Sequence, residues 1–398
     1  MKLRLNKTVA VVASSALLLL AVPAVGMASA SGAVHKPKPK PKPTYVIGYE
    51  GPLSGGNLQL GLNMVFSVEL AINQANASGK YPFKLKLARY DDQGDPTISP
   101  TQAQSAVANH QLMALVGPAF SGATAAAEPY YSAAHIATVS PSATRVSLAT
   151  SGWNNFFRVV ADDGVQGPAD ADYLVKTKSF KSVYVVNDGS AYGSGVASAF
   201  ATEATTDGAT VTTATVPGTA QCSDGSASAT EYTAAATQAV ASKAGAMFYG
   251  GYYCDLGLFL GALSSAGWTG TVLSDDGSDS PALIQGTTPP SAANDVLMSC
   301  ACAQSTNKTF NKEFQNLSNF SAATATYAPE AYDATNVIIA AMAKLKTVTR
   351  AGIVAELHKI TYKGITKVIH FQSDGNISGS AIYVNEVESG SVVQLGLE

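Results

Sequence analysis

MALVGPAFSGATAAAEPYYSAAHIATVSPSATRVSL, residues Met113–Leu148, is the stretch that decides the fold. Met113–Gly117 and Ile136–Ser140 are short apolar runs of strand type, and the Ala-, Glu- and Tyr-bearing segment between them is helical in character. A strand–helix–strand unit makes its two strands parallel neighbours. Such neighbours carry their C-terminal turns side by side, where open α/β sheets bind ligands. Those turns hold Ser121 and the run Ser140-Pro141-Ser142-Ala143-Thr144. Small hydroxyls beside a helix N-terminus suit a carboxylate or another small anion. The competing reading makes Ser121, Ser142 and Thr144 ordinary caps and turn formers.

The same alternation extends in both directions. Upstream, Thr44–Glu50 reads as a buried strand, Leu62–Ala75 as an amphipathic helix, Phe83–Asp91 as a second strand and Thr101–Leu112 as a second helix. Asp91 and Asp92 are read as strand-end carboxylates that cap the next helix rather than as metal ligands. Downstream, a strand near Phe156–Ala161 runs into Asp162–Pro168 (DDGVQGP), a boundary, and the alternation restarts. Helix Ala169–Lys176, strand Lys181–Asn187, the turn DGSAYGSG, helix Val196–Thr205, strand Ala209–Val216, helix Glu231–Ser242, strand Ala246–Gly250, helix Asp255–Ala266 and strand Thr271–Leu273 follow. Asp295–Ala301 is a further strand, Asn311–Leu317, Glu330–Lys344 and Ala351–Ile360 are helical, and Thr366–Phe371, Ala381–Asn385 and Val392–Leu395 close the chain as strands. Two successive β/α alternations of domain size predict an α/β protein of two doubly wound lobes.

The first thirty residues read as a signal peptide: Lys2, Arg4 and Lys7, then a mainly apolar Val9–Val25, then Ala28-Ser29-Ala30. No Cys lies near that junction, so a lipid-anchored form is not expected. Residues 31–43 carry HKPKPKPKP, a spacer of extended polyproline character. Without the leader's three cations and the arm's four, 18 basic residues face 28 acidic ones, a formal charge of −10. A body this acidic is a poor partner for nucleic acid or anionic membrane. Four cysteines in an exported chain allow three pairings. The favoured one joins Cys222 to Cys254 and Cys300 to Cys302.

Catalytic patterns are missing from the sequence. Gly193-Ser194-Gly195 lacks the third glycine and the ribose-binding carboxylate of a dinucleotide site. There is no G-x-S-x-G elbow, and His35, His110, His135, His358 and His370 are scattered without metal-ligand spacing. No catalytic set, cofactor or metal is expected. What remains are strand-end turns carrying Tyr192, Tyr252 and Asp275-Asp276-Gly277. With the hydroxyls of the first lobe they describe a site for a zwitterion.

From Tyr45 onward the chain resembles the type I periplasmic solute-binding proteins of the branched-chain amino acid (Leu/Ile/Val) transporter family. The resemblance rests on IGYEGPLSG, KLARYDDQGDP, LVGPAFSGAT, SPSAT, QGP at Gln166–Pro168, VVNDGSAYGSG and FYGGYY, in order. It implies two lobes joined by three crossings, near Asp162–Gly164, Ser299–Cys302 and Gly375–Ser380. One lobe would comprise residues 44–162 with 302–376, the other 163–301 with 377–398. By position, Ser121 and Thr144 would donate to a ligand carboxylate, with Ser142 against the ligand through its backbone. Tyr192 and Tyr252 would close from the second lobe, and Asp276 would receive the ammonium group. Leu60, with Phe120, would line an apolar side-chain pocket. The cysteine pair of close relatives is replaced here by Gly94 or its neighbour and Phe120. The implied function is an exported, non-enzymatic, monomeric clamp that delivers an aliphatic amino acid-like ligand to the permease of an ABC importer. A ligand-sensing receptor domain, or a binder of amides, urea-like solutes or aromatic acids, is the alternative.

Overall fold

Apolar runs with no polar alternation demand cover on both faces, and central strands such as Leu112–Val116 and Ala246–Gly250 receive it. The computed structural model describes residues 41–216, 218, 229–302, 304–379 and 381–397; the expected leader, most of the Lys-Pro spacer and Cys222 lie outside them. β1 (Thr44–Gly51), β2 (Lys84–Asp91), β3 (Leu112–Val116), β4 (Ala137–Ser140) and β5 (Phe156–Arg158) form a parallel sheet in the order β2-β1-β3-β4-β5. Successive β1 residues point to opposite layers. Val46 packs with Tyr90, Ala103 and Tyr131, on the side of helices α2 (Ser99–Ala108) and α3 (Ser121–Ala133). Ile47 and Tyr49 pack with Met64 and Ile338, on the side of α1 (Leu58–Ser78).

A second sheet forms from residues further along. β6 (Ser182–Asn187), β7 (Thr210–Thr215), β8 (Ala246–Gly250), β9 (Thr271–Ser274) and β10 (Leu297–Cys300) are parallel, and β13 (Tyr383–Glu388) and β14 (Ser391–Leu397) extend the β10 edge antiparallel, giving β14-β13-β10-β9-β8-β6-β7. A small hairpin, β11 (Thr361–Lys363) with β12 (Val368–His370), stands apart. In the first sheet the strand order reverses between β1 and β3, and in the second between β6 and β8. Ligand crevices of open α/β sheets lie at such reversals. Here they are the loops that lead to Ser121, Tyr192 and Tyr252.

Several sequence expectations need correction. The helix expected at Ala169–Lys176 starts earlier, as α5 (Asp163–Asp172), so the boundary stretch Asp162–Pro168 opens it, with Asp162 as N-cap accepting from Gly164 N. Its glycine is a packing requirement: a Cβ on Gly167 would lie 2.7 Å from Ala199 Cβ and 2.8 Å from Phe200 N, so α6 (Ala191–Thr206) approaches closely. The turn DGSAYGSG likewise becomes helix from Ala191, capped by the Ser190 hydroxyl on Gly193 N at 2.9 Å. Leu60 belongs to the first turn of α1 rather than to a loop. Asp91 caps no helix: its carboxylate accepts from Leu53 N (2.9 Å), Ser54 N (3.2 Å) and Ser54 Oγ (2.6 Å), fixing the loop after β1. Asp92 closes its own turn instead, accepting from Gly94 N at 2.8 Å. Helix α2 spans Ser99–Ala108, not residues 101–112, and the strand that begins at Phe156 stops at Arg158.

Candidate functional site

The site assembles from loop ends. α3 begins soon after β3 and places Ser121 in its first turn, buried, with its Oγ accepting from Arg145 N at 3.2 Å. That leaves the Ser121 proton free to donate. After β4, Ser142 Oγ donates to Ala119 O at 2.7 Å, so only its backbone and van der Waals surface remain for a ligand. Thr144 is fully buried, and its Oγ1 makes no well-formed hydrogen bond. This loop is held by Arg158, whose buried guanidinium donates to Arg145 O (2.8 Å), Ala143 O (3.3 Å), Asn376 Oδ1 (2.6 Å) and Asp162 Oδ2 (3.0 Å).

The opposing sheet supplies aromatic rings and acids. Tyr192, in the first turn of α6, donates its hydroxyl to Asp276 Oδ1 and accepts from Gly277 N at 3.1 Å. Tyr252, the N-cap of α8 (Tyr253–Ala266), lies 5.2 Å from the Tyr192 ring and stacks on Phe120 across the cleft at 4.3 Å and 23°. The cleft is closed in this conformation. Gly277 has to be glycine there, since a Cβ would come within 2.7 Å of Tyr192 Cε1 and 2.6 Å of Gly251 O. The cavity left between the walls in this closed conformation is about 10 Å³, and it is lined by Leu60, Phe120, Ser121, Ser142, Tyr192 and Tyr252, with Gly277 and Tyr327 completing it. Leu60, Ser121, Ser142, Tyr192 and Tyr252, all expected from the sequence, thus share one cavity. Asp276 reaches it through Tyr192 and Gly277, and Thr144 sits beside Asp163 rather than on the wall.

Acid groups dominate the electrostatics. Asp276 is fully buried, and desolvation pushes its carboxyl up to about 7 against hydrogen bonding from Tyr192 and Gln166. Its Oδ2 makes no well-formed hydrogen bond. Asp163, at the start of α5, is also raised to about 7, by burial first, then opposed by Thr144 and pushed further by Asp276. Neither of its oxygens makes a well-formed hydrogen bond. Burial raises Asp275 as well, with Asp276 the next cause. Among the described residues, no Lys, Arg or His lines the cavity. Buried carboxylates without a cation carry a large desolvation cost that a cationic guest relieves.

Asp163, Gln166 and Tyr327 are neighbours of the site that the sequence reading misses. Gln166 Nε2 donates to Ser299 Oγ at 2.9 Å and so ties α5 to β10 beside the acids. The signal for Asp163 is present as the paired acids opening DDGVQGP. Tyr327 has a positive φ of 65° just before α11 (Ala328–Lys344) and no sequence mark. Two groups of potential metal ligands occur among the described residues, and neither lines the cavity. Asp279 meets the sulfurs of Cys300 and Cys302, which are joined in a disulfide. Asp172, Glu203 and Asp207 surround Lys176 Nζ, at 2.6 Å from Asp172 and 2.8 Å from Asp207.

An amino acid binding protein of Pseudomonas aeruginosa is 28% identical over 233 residues, 58% of this chain and 60% of that protein. A Leu/Ile/Val-binding protein homolog of Brucella melitensis is 29% identical over 58% of this chain and 61% of its own length. The chain therefore aligns with about three fifths of the length of these relatives. A branched-chain amino acid transporter substrate-binding protein of Streptococcus pneumoniae, LivJ with isoleucine, superposes with a TM-score of 0.79 at 24% identity, covering 89% of this chain and 99% of that one. Residues 44–391 match the family described as periplasmic binding protein, and with the two facing crevices this establishes that the chain belongs to it.

Proposed function

We propose that the protein is an exported, non-enzymatic solute-binding protein that clamps an aliphatic amino acid-like ligand and hands it to the permease of an ABC importer. The observation that carries this reading is the cavity's polarity. Free hydroxyl capacity at Ser121 lies on one wall, and the buried Asp276, with spare acceptor capacity at Oδ2, lies behind the other. A zwitterion satisfies both at once, its carboxylate at the α3 end and its ammonium at Asp276. Leu60 and the Phe120–Tyr252 stack leave an apolar remainder suited to a side chain. The names of the Pseudomonas and Brucella relatives, and the isoleucine in the Streptococcus structure, support the same class.

Because Tyr192, Tyr252 and Asp276 meet the ligand only when the lobes close, binding draws the open–closed equilibrium toward closure. Titration calorimetry with leucine, isoleucine, valine, a short amide and benzoate tests the class. An aliphatic amino acid is expected to bind, and Asp276→Asn to weaken it about tenfold or more, the worth of a charge-assisted hydrogen bond. Unchanged affinity in that variant removes Asp276 as the ammonium partner, and tight benzoate binding without amino-acid binding removes the zwitterion altogether.

A further inference from the structure

The first turn of α1 carries a donor that its own lobe does not satisfy. Asn57, the N-cap, makes no side-chain capping bond, so the opening N–H groups of the helix need partners from elsewhere. Leu58 N and Leu60 N find the backbone carbonyls of Gly55 and Asn57. Gln59 N donates instead to Tyr253 Oη at 3.1 Å, and this bond joins residues 194 apart in the chain. Tyr253 opens α8, which connects β8 to β9 in the second sheet, whereas α1 packs on β1 and β2 of the first. The bond therefore crosses the cleft.

Each lobe holds its own end of the bond in place. A Cβ on Gly61 would lie 1.6 Å from Pro52 O, so the start of α1 is seated directly on the loop that follows β1. Asp91 fixes that loop in turn, through Leu53 N, Ser54 N and Ser54 Oγ. Opposite, the Tyr253 ring is buried in the apolar core, and Tyr252 before it packs against the rings of Phe120 and Tyr192. Gln59 and Tyr253 adjoin Leu60 and Tyr252, two residues of the cavity wall, but do not line the cavity themselves. A pair so placed acts on the clamp and not on its guest.

We propose that Tyr253 is a positioning residue that latches the closed clamp: its hydroxyl takes the Gln59 N–H when the lobes meet, and so slows the release of what the cleft encloses. The inference rests on the clamp reading above. When the lobes part, both groups return to water, so the bond is worth no more than an ordinary intramolecular hydrogen bond. A ligand meets the open lobes before the bond forms, which leaves the association rate independent of it. Opening has to break the bond, so the dissociation rate carries its effect.

Stopped-flow fluorescence of the full chain with leucine, isoleucine and valine tests this on Tyr253→Phe, which keeps the ring in the core and removes one oxygen. Dissociation is expected to quicken about fivefold, with association within about twofold of the wild type. The factor is expected to be the same for each amino acid, because the latch does not touch them. In the leucine complex, the Gln59 amide is expected to exchange with solvent about fivefold or more faster in the variant. An unchanged dissociation rate, an effect confined to association, a factor that differs among the amino acids, or a Gln59 amide that exchanges equally in both chains would each overturn the proposal. The two readings fail separately: a wild type that binds benzoate and no amino acid removes the zwitterion, while Tyr253→Phe is still expected to release benzoate about fivefold faster.

Discussion

Tyr192 does three things with one side chain. Its ring walls the cavity, its hydroxyl donates to Asp276, and the same oxygen accepts from Gly277 N. Tyr192→Phe removes only the oxygen and keeps the wall. The buried Asp276 then loses a donor that holds its charge, and Gly277 N loses its acceptor, a loss of about 1–3 kcal/mol of stability. With less support for the ionised carboxylate, the Asp276 carboxyl rises further, and an ammonium ligand has to displace its proton before it binds. Weaker calorimetric binding at pH 7 with more protons released to buffer is therefore expected; equal proton release would separate Tyr192 from the charge of Asp276. At this scale the sequence is informative wherever a telling residue type stands at a strand end, as Ser121, Tyr192 and Tyr252 do. Tyr327 has no such mark. It reaches the cavity from a left-handed backbone position just before α11, far along the chain from the other lining residues, and no local pattern encodes that approach.

At the scale of elements, two opposing effects meet at Gly167. Replacing a helix-interior glycine with alanine gains roughly 1 kcal/mol of helix propensity. Here the added Cβ would sit 2.7 Å from Ala199 Cβ and 2.8 Å from the backbone N of Phe200, so α5 and α6 would have to separate. Overpacking of this kind costs about 1–3 kcal/mol and outweighs the propensity gain. Gly167→Ala is expected to lower the midpoint of chemical denaturation, and a raised midpoint would show that the helices separate freely. The same contact explains which elements are legible in the sequence. Strands such as Ala246–Gly250 announce themselves as buried apolar runs. Helices α5 and α6 begin instead with Gly, Pro, Ser and Asp, the residues of turns, because close helix packing and capping call for those same side chains. Local composition is the same for both uses, and only the approach of a second helix separates them.

For the whole molecule, the raised carboxyls tie stability and ligand affinity to pH with opposite signs. Glu50, Asp163, Asp276 and Asp279 are all pushed up to about 7, chiefly by burial. A carboxyl whose folded value exceeds its unfolded value of about 4 contributes stability that is complete below that unfolded value. The contribution is lost as pH rises through about 7, when the buried group has to ionise. The free protein is therefore expected to melt at a lower temperature at pH ~8 than at pH ~5.5. An ammonium-bearing ligand reverses the trend at the cleft, because it pairs with the ionised form of Asp276 and competes with the proton for it. Affinity should then rise with pH through the same window, and the ligand-induced gain in Tm should be larger at the higher pH. One kcal/mol of added binding free energy corresponds to a difference of about 1–1.5 °C in a chain of this size. Thermal melts with and without leucine at the two pH values read both slopes together. A free protein that melts higher at the alkaline value would mean the buried carboxyls hold ionised partners in solution, and a ligand-induced shift equal at both values would detach recognition from the charge of Asp276.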